Sequence, residues 1–133
     1  MKHGVDFIGV GVGVIIVKNN NVLLMLRKTP SEWSIPGGKV ELNEKSEDTA
    51  IREIKEELGI DIKIKKFLTL TETFSNKMHW ISIVYIADIA KGDPRIMEPE
   101  EHLAVKWFSL DDLPKNHFLP SKLAIEFYKK NRK

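Results

Sequence analysis

Hydrophobic and polar positions repeat with two different periods along this chain, and the changes of period mark out its elements. From Ile8 to Val17, Gly9, Gly11 and Gly13 alternate with Val10, Val12, Val14 and Ile16, the period-two pattern of a strand. One face of that strand is apolar and the other nearly bare backbone. Glycine inside a strand costs stability unless something must come close, and a substrate ring, a neighbouring chain or an adjacent helix would each meet that need. No helix opens after these glycines, so they are not a dinucleotide fingerprint. Asn19-Asn20-Asn21 reads as a turn, with Val22 to Arg27 returning as the second strand of a hairpin. From Ser46 to Leu58 the period lengthens to that of a helix. Ala50, Ile51, Ile54 and Leu58 share one arc, Glu53, Glu56 and Glu57 the adjacent one, and Lys55 points away. Ser46 is placed to cap this helix, Asp48 suits its first turn, and Gly59 stops it.

Farther on, Ile62 to Thr73 and His79 to Ile89 read as two long strands joined by a polar turn at Ser75-Asn76-Lys77. Lys91-Gly92-Asp93-Pro94 breaks the sheet, and Val105 to Ser109 is a short strand. Leu110 to Pro114 reads as a turn of helix. Ser121 is placed to cap a last helix running to about Asn131, with Leu123, Ala124, Phe127 and Tyr128 inward.

Composition bounds the answer. A chain of 133 residues suits one domain, 1–133, with a single core. With 21 basic and 19 acidic residues its net charge of +2 predicts no nucleic-acid polymer as partner, and Lys129, Lys130, Arg132 and Lys133 read as a solvated helix end. The absence of cysteine excludes disulfides and thiolate metal sites. No run approaches the length of a membrane span, so a cytoplasmic protein without membrane partners is expected.

The chemistry lies in the acidic arc. Glutamates at i, i+3 and i+4 repel one another by some tenths of a kcal/mol per pair, so something cationic should sit among Glu53, Glu56 and Glu57. Oxygen-only ligands, with no His in the stretch, favour Mg²⁺ or Mn²⁺ over Zn²⁺. The spacing is also a pattern in itself: Gly38, five residues, Glu44, seven residues, then Arg52-Glu53, Glu56-Glu57 and Gly59, with apolar Ile54 and Ile60. This stretch resembles the signature box of the Nudix hydrolases. The resemblance continues upstream, where a strand ending in Arg27 precedes Trp33-Ser34-Ile35-Pro36-Gly37-Gly38-Lys39. It narrows to the MutT-like nucleoside-triphosphate pyrophosphohydrolases through GVGVGV near the start, Glu98-Pro99-Glu100-Glu101-His102 before Trp107, and Asp111-Asp112-Leu113-Pro114 after it.

That resemblance implies an α+β Nudix fold, a three-layer α/β/α sandwich around a mixed β-sheet. It implies Mg²⁺-dependent attack of water on a nucleoside triphosphate, oxidised or minor dNTPs such as 8-oxo-dGTP included, to give a nucleoside monophosphate and pyrophosphate. ADP-ribose or a nucleotide sugar is the alternative substrate. A non-catalytic nucleotide-binding module is a third reading, against which the intact acids argue. By the same resemblance the Gly38 carbonyl, Glu53, Glu56, Glu57 and Glu101 hold the metal, with Glu98 and Glu100 as substitutes for Glu101. Glu101 or Glu56 takes the proton, Arg52 orients a carboxylate, and Glu44 ties down the loop. Arg27 and Lys39 are expected on the phosphates, Phe74, with His79 and Trp80 beside it, on the base, and Asn116 either on the base or in a helix-entry turn. His79 is disfavoured as a ligand, because the implied ion prefers oxygen. The glycine face leaves room for a homodimer.

Overall fold

The computed structural model describes residues 1–132. The first apolar run divides between two sheets. Gly9–Ile15 (β1) stays in one, and after Ile16 the chain crosses to the other as Val17–Lys18 (β2). There β2 pairs with Asn21–Arg27 (β3), turning through Asn19 and Asn20, both at positive φ (52° and 62°). A two-residue turn of this kind matches the strand twist, and Asn tolerates the left-handed region. The expected hairpin is therefore present, but only the end of the first run belongs to it.

Sheet one is mixed, in the order β5-β1-β7-β6. Gly37–Lys39 (β5) runs antiparallel to β1, and Met78–Lys91 (β7) runs parallel to it. Asp61–Ser75 (β6) pairs with β7 around Asn76 and Lys77, both again at positive φ. Sheet two is antiparallel: β3 has His102–Ser109 (β8) along one edge and β2 with Trp33–Ser34 (β4) along the other. Leu110 to Pro114, expected as helix, forms turns instead.

Two helices flank sheet one. Ser46–Leu58 (α1) buries Ala50, Ile54 and Leu58 against Val12, Val14, Ile62 and Tyr85. Leu119–Asn131 (α2) buries Ala124 and Ile125 against Ile15, Val84 and Leu110 on the opposite side. This is the α/β/α order the sequence suggested.

Three helix details differ from expectation. Ser46 does not cap α1; its hydroxyl pairs with Tyr85 Oη at 2.6 Å, and Lys45 holds the cap position without a side-chain bond. Ser121 does not cap α2, because Pro120 fits the first helical turn and the helix starts at Leu119. On α2 the buried set is Ser121, Ala124 and Ile125, with Tyr128 packed half-buried beside them as expected, whereas Leu123 and Phe127 are exposed. Leu123 and Phe127 lie on the turn face left uncovered once Ile125 points in.

The glycine face of β1 is filled by the chain's own side chains rather than by a helix. A Cβ on Gly9 would stand 2.6 Å from two indole carbons of Trp80, and one on Gly13 2.7 Å from Ile35 Cδ1. Gly11 is roomier, with the Gly38 carbonyl 3.3 Å from its Cβ position and Trp80 Cε3 at 3.9 Å. The three positions therefore differ in what they tolerate. Gly9→Ala should lower stability by about 1–3 kcal/mol through overpacking and change Trp80 fluorescence, whereas Gly11→Ala, pressed against the Gly38 carbonyl rather than the indole, should cost less stability and leave the emission close to parental. Thermal melts and emission spectra of the two variants check this, and equal effects at both positions contradict it.

Candidate functional site

The acidic arc of α1 faces the loop that leads into β5, and three tethers fix that arrangement. Glu57 Oε1 accepts the Gly37 N–H at 3.2 Å. Glu53 packs so closely on Gly38 that any Cβ there would collide with its carboxylate, and a Cβ on Gly37 would strike the Val12 carbonyl. Both glycines are thus required by close approach of backbone to backbone and to carboxylate. On the far side, the Arg95 N–H donates to the Leu58 carbonyl and the Met97 N–H to the Glu57 carbonyl, each at 3.1 Å. These bonds use carbonyls that the end of a helix leaves free, and they deliver Glu98 to the same acids.

Arg52 organises the cluster. Its Nε and Nη2 donate to the two oxygens of Glu44 at 2.7 and 3.0 Å, and its Nη1 donates to Glu53 at 3.0 Å and to Glu56 at 2.9 Å. The Thr49 hydroxyl also donates to Glu44, at 2.7 Å. Hydrogen bonds from Arg52 and Thr49 pull the Glu44 carboxyl down to about 2, and Glu44 in turn raises Arg52. Glu44 is thereby bonded to the helix through Arg52 and Thr49, and Arg52 contacts both Glu53 and Glu56.

Glu57 lies outside this compensation. It is 7 % exposed and has a single amide as partner. Burial, with the charge of Glu53 next in importance, pushes its carboxyl well above the usual range. Burial also raises Glu53, against the pull of Arg52, and Glu98 is raised by burial and by Glu56.

Among the described residues no three carboxylates already converge at coordination distance, because Arg52 holds Glu53 and Glu56. The donors are nonetheless all oxygen, and Glu57 is a buried carboxylate without a balancing cation. That set fits a hard divalent ion.

The remaining expected residues divide. Arg27 is half-buried, 3.9 Å over the Phe118 ring, and near enough to Glu57 to feel its charge, although burial lowers its basicity. Lys39 is exposed at the end of β5, in register with Gly11. Of this loop, Glu98, one of the substitutes for Glu101, is the residue whose charge reaches Glu53 and Glu57, and Glu101 adds its charge at Glu98. The Glu101 backbone carbonyl accepts the Lys28 N–H at 3.1 Å, and the Met97–Glu57 backbone bond brings Glu98 to the end of α1. Glu100 reaches the cluster only through Glu98.

Phe74 is 69 % exposed at the tip of the β6–β7 hairpin, stacked on His79 with ring centroids 4.3 Å apart. His79 pairs with Glu72 at 2.7 Å. Together they border a cleft of about 560 Å³ closed on its other side by Gly4 to Ile8. Asn116 donates to the Ser31 carbonyl at 3.3 Å, and its own carbonyl accepts the Trp33 N–H at 2.8 Å. It therefore ties two loops together rather than forming the entry turn of a helix.

Comparison with known proteins bears on these features. A NUDIX domain match spans residues 8–128. An ADP-ribose pyrophosphatase of Methanocaldococcus jannaschii is 35% identical over 123 residues, 89% of this chain and 72% of the relative. An 8-oxo-dGTP diphosphatase of Buchnera aphidicola is 31% identical over 128 residues, covering 89% of this chain and 95% of its own length. The solved structure of a MutT NUDIX hydrolase from Burkholderia pseudomallei superposes with a TM-score of 0.87 at 38% identity, over 90% of this chain and 97% of that one.

Glu57 offers a direct test of this electrostatic arrangement. A carboxyl whose folded pKa lies above its unfolded value adds stability below the unfolded value and loses it as pH rises through the folded one. The metal-free protein should therefore gain from Glu57 as pH falls from neutrality toward about 4.5. Glu57→Gln should lack that gain and melt no lower than the parent at pH 7. Melting curves across this range, with chelator present, decide it. A variant markedly less stable than the parent at pH 7 would show that the carboxylate is compensated after all.

Proposed function

This chain belongs to the Nudix family and is a pyrophosphohydrolase of MutT-like type, and from that premise we propose that it hydrolyses nucleoside triphosphates, oxidised or minor ones included, to nucleoside monophosphate and pyrophosphate with Mg²⁺. The observation that carries this reading is the pairing of buried Glu57 with the Gly37 N–H, beside Glu53 and within the field of Arg27. Uncompensated acid charge next to a half-buried guanidinium suits a dication and a phosphate chain together.

Glu53, Glu56, Glu57, Glu98 and the Gly38 carbonyl are the residues proposed to hold the ion. Its chemistry there is to neutralise phosphate charge and acidify the attacking water. Arg27 presents its fork to phosphate oxygens, with Phe118 beneath it limiting its rotamers. Lys39 adds a second, mobile charge. Glu98 accepts the proton of the attacking water, since a carboxylate held above its ordinary range is the better base near neutral pH. Arg52 keeps Glu53 and Glu56 from recoiling before the ion binds.

Trp80 supplies the surface for the base in this reading, and Phe74 the outer rim. The indole lies on Gly9 and Gly4, and it shares with the Gly38 carbonyl the space above Gly11. Phe74 stands beyond it, across the cleft that Gly4 also lines. ADP-ribose is the second reading, favoured by the 35%-identical relative of that name.

Turnover of a nucleotide panel with Mg²⁺, separating pyrophosphate from phosphate as product, tests the proposal. Nucleoside triphosphates should yield pyrophosphate and a chelator should stop the reaction without unfolding the protein. Turnover of ADP-ribose alone would reject it. On the preferred substrate Glu57→Gln should cost roughly a hundredfold to a thousandfold in rate. Trp80→Ala should weaken use of base-bearing substrates by about 1–3 kcal/mol, while leaving hydrolysis of inorganic tripolyphosphate, if the parent shows any, unchanged.

A further inference from the structure

Ser121 and His117 lie outside every role assigned so far, yet they are among the most buried polar side chains of the molecule, 1% and 9% exposed. Ser121 Oγ accepts the Ile35 N–H at 2.9 Å and sits 2.7 Å from His117 Nε2. The Ser121 hydroxyl has lone pairs to spare after accepting from Ile35, and its bond with His117 Nε2 takes its direction from the imidazole tautomer. The result is a continuous chain linking Ile35, Ser121 and His117.

Two backbone bonds run alongside it. The Trp33 N–H donates to the Asn116 carbonyl and the Phe118 N–H to the Trp33 carbonyl, both at 2.8 Å. The approach to α2 thus grips residues 33–35 at three points. Pro36 follows, with its φ fixed by the ring and its carbonyl taken by the Val14 N–H at 2.9 Å. The next residues are Gly37, whose N–H meets Glu57, and Gly38, which abuts Glu53. Slack at Ile35 has nowhere to go but into that corner.

We propose that Ser121 and His117 are a positioning pair, which holds the Gly37 N–H and Gly38 carbonyl in register with Glu57 and Glu53 from the opposite side of the sheet. The inference rests on the reading of that corner as the metal site. A misplacement of about 1 Å at a reacting centre is enough to cost a hundredfold, and groups that support metal ligands change affinity by roughly tenfold to a hundredfold when lost.

The test uses Ser121→Ala, the hydroxyl-retaining Ser121→Thr, and Val22→Ala as a core control that also lowers stability. Two quantities are read on each: the Gly37 amide resonance, and Mg²⁺ affinity by calorimetry without nucleotide. Ser121→Ala should move the resonance and weaken Mg²⁺ roughly tenfold or more, Ser121→Thr should restore much of both, and Val22→Ala should change neither. If Ser121→Ala fails to fold, His117→Leu carries the same expectation. A parental resonance in Ser121→Ala, or an equal shift in the core control, overturns the positioning pair. Should the parent bind no Mg²⁺, the reading of the corner as a metal site fails, and the Gly37 resonance alone still decides between support and rejection of the pair.

Discussion

One guanidinium makes the acidic face of α1 tolerable. Arg52 reaches Glu44, Glu53 and Glu56 at once, and its two-pronged bond to Glu44 fixes the plane in which the other contacts are made. None of these contacts is strong alone, since the side chain is 35% exposed and surface pairs contribute little. Their effect is geometric. The acids that would otherwise splay are gathered, and the loop carrying Glu44 is drawn against the helix. Glu57, one turn beyond Glu53, is left out of this balance and buried. The cluster thereby keeps one buried carboxyl that no cation bonds directly, and burial disfavours its charged form.

The second constraint is closeness of backbone. Gly37 and Gly38 run so near the Val12 carbonyl and the Glu53 carboxylate that no side chain could be carried there, so β5 can bring its Gly37 N–H onto Glu57. Such a strand has no side-chain packing of its own to define its position. It is therefore fixed from outside, by β1 along one edge, by Glu57 above, and by the lead-in to α2 on the far side. The hydrophobic clusters under α1 and α2 bring these supports together.

Much of this was legible in the sequence, for local reasons. The 3.6-residue period places Glu53, Glu56 and Glu57 on one arc whatever surrounds them, and Gly59 does end the helix, at φ 68°. The hairpin turns follow from asparagines that accept positive φ. The misreadings come from tertiary contacts that the local pattern cannot carry. Ser46 and Ser121 have the right chemistry for helix caps, but Tyr85 and Ile35 claim their hydroxyls. That the charge of Glu98 reaches Glu53 and Glu57 depends likewise on the backbone bond from Met97 to the end of α1, which residue spacing does not carry. The split of the first strand between two sheets was equally hidden, since Gly9 to Val17 runs on without a polar residue or turn signal.

The two ends of the site are specified in different ways. The acids, Arg52, Glu44 and the two glycines come from one continuous stretch, so their geometry is transferable wherever that stretch folds. The surfaces beyond them come from three separate places: Gly4 in the N-terminal turn, Gly9 and Gly11 in β1, and Trp80 in β7. Gly9 is set opposite Trp80 by the parallel register of β1 on β7, and Gly4 is held against the same indole by the His79 N–H, which donates to its carbonyl at 2.8 Å. A substitution at Gly4 or Gly9 meets the Trp80 indole and not the acids, whereas one at Gly11 also presses on the Gly38 carbonyl. The glycine alternation of β1, costly for a strand by itself, is the feature that allows a ring as large as the Trp80 indole to lie there.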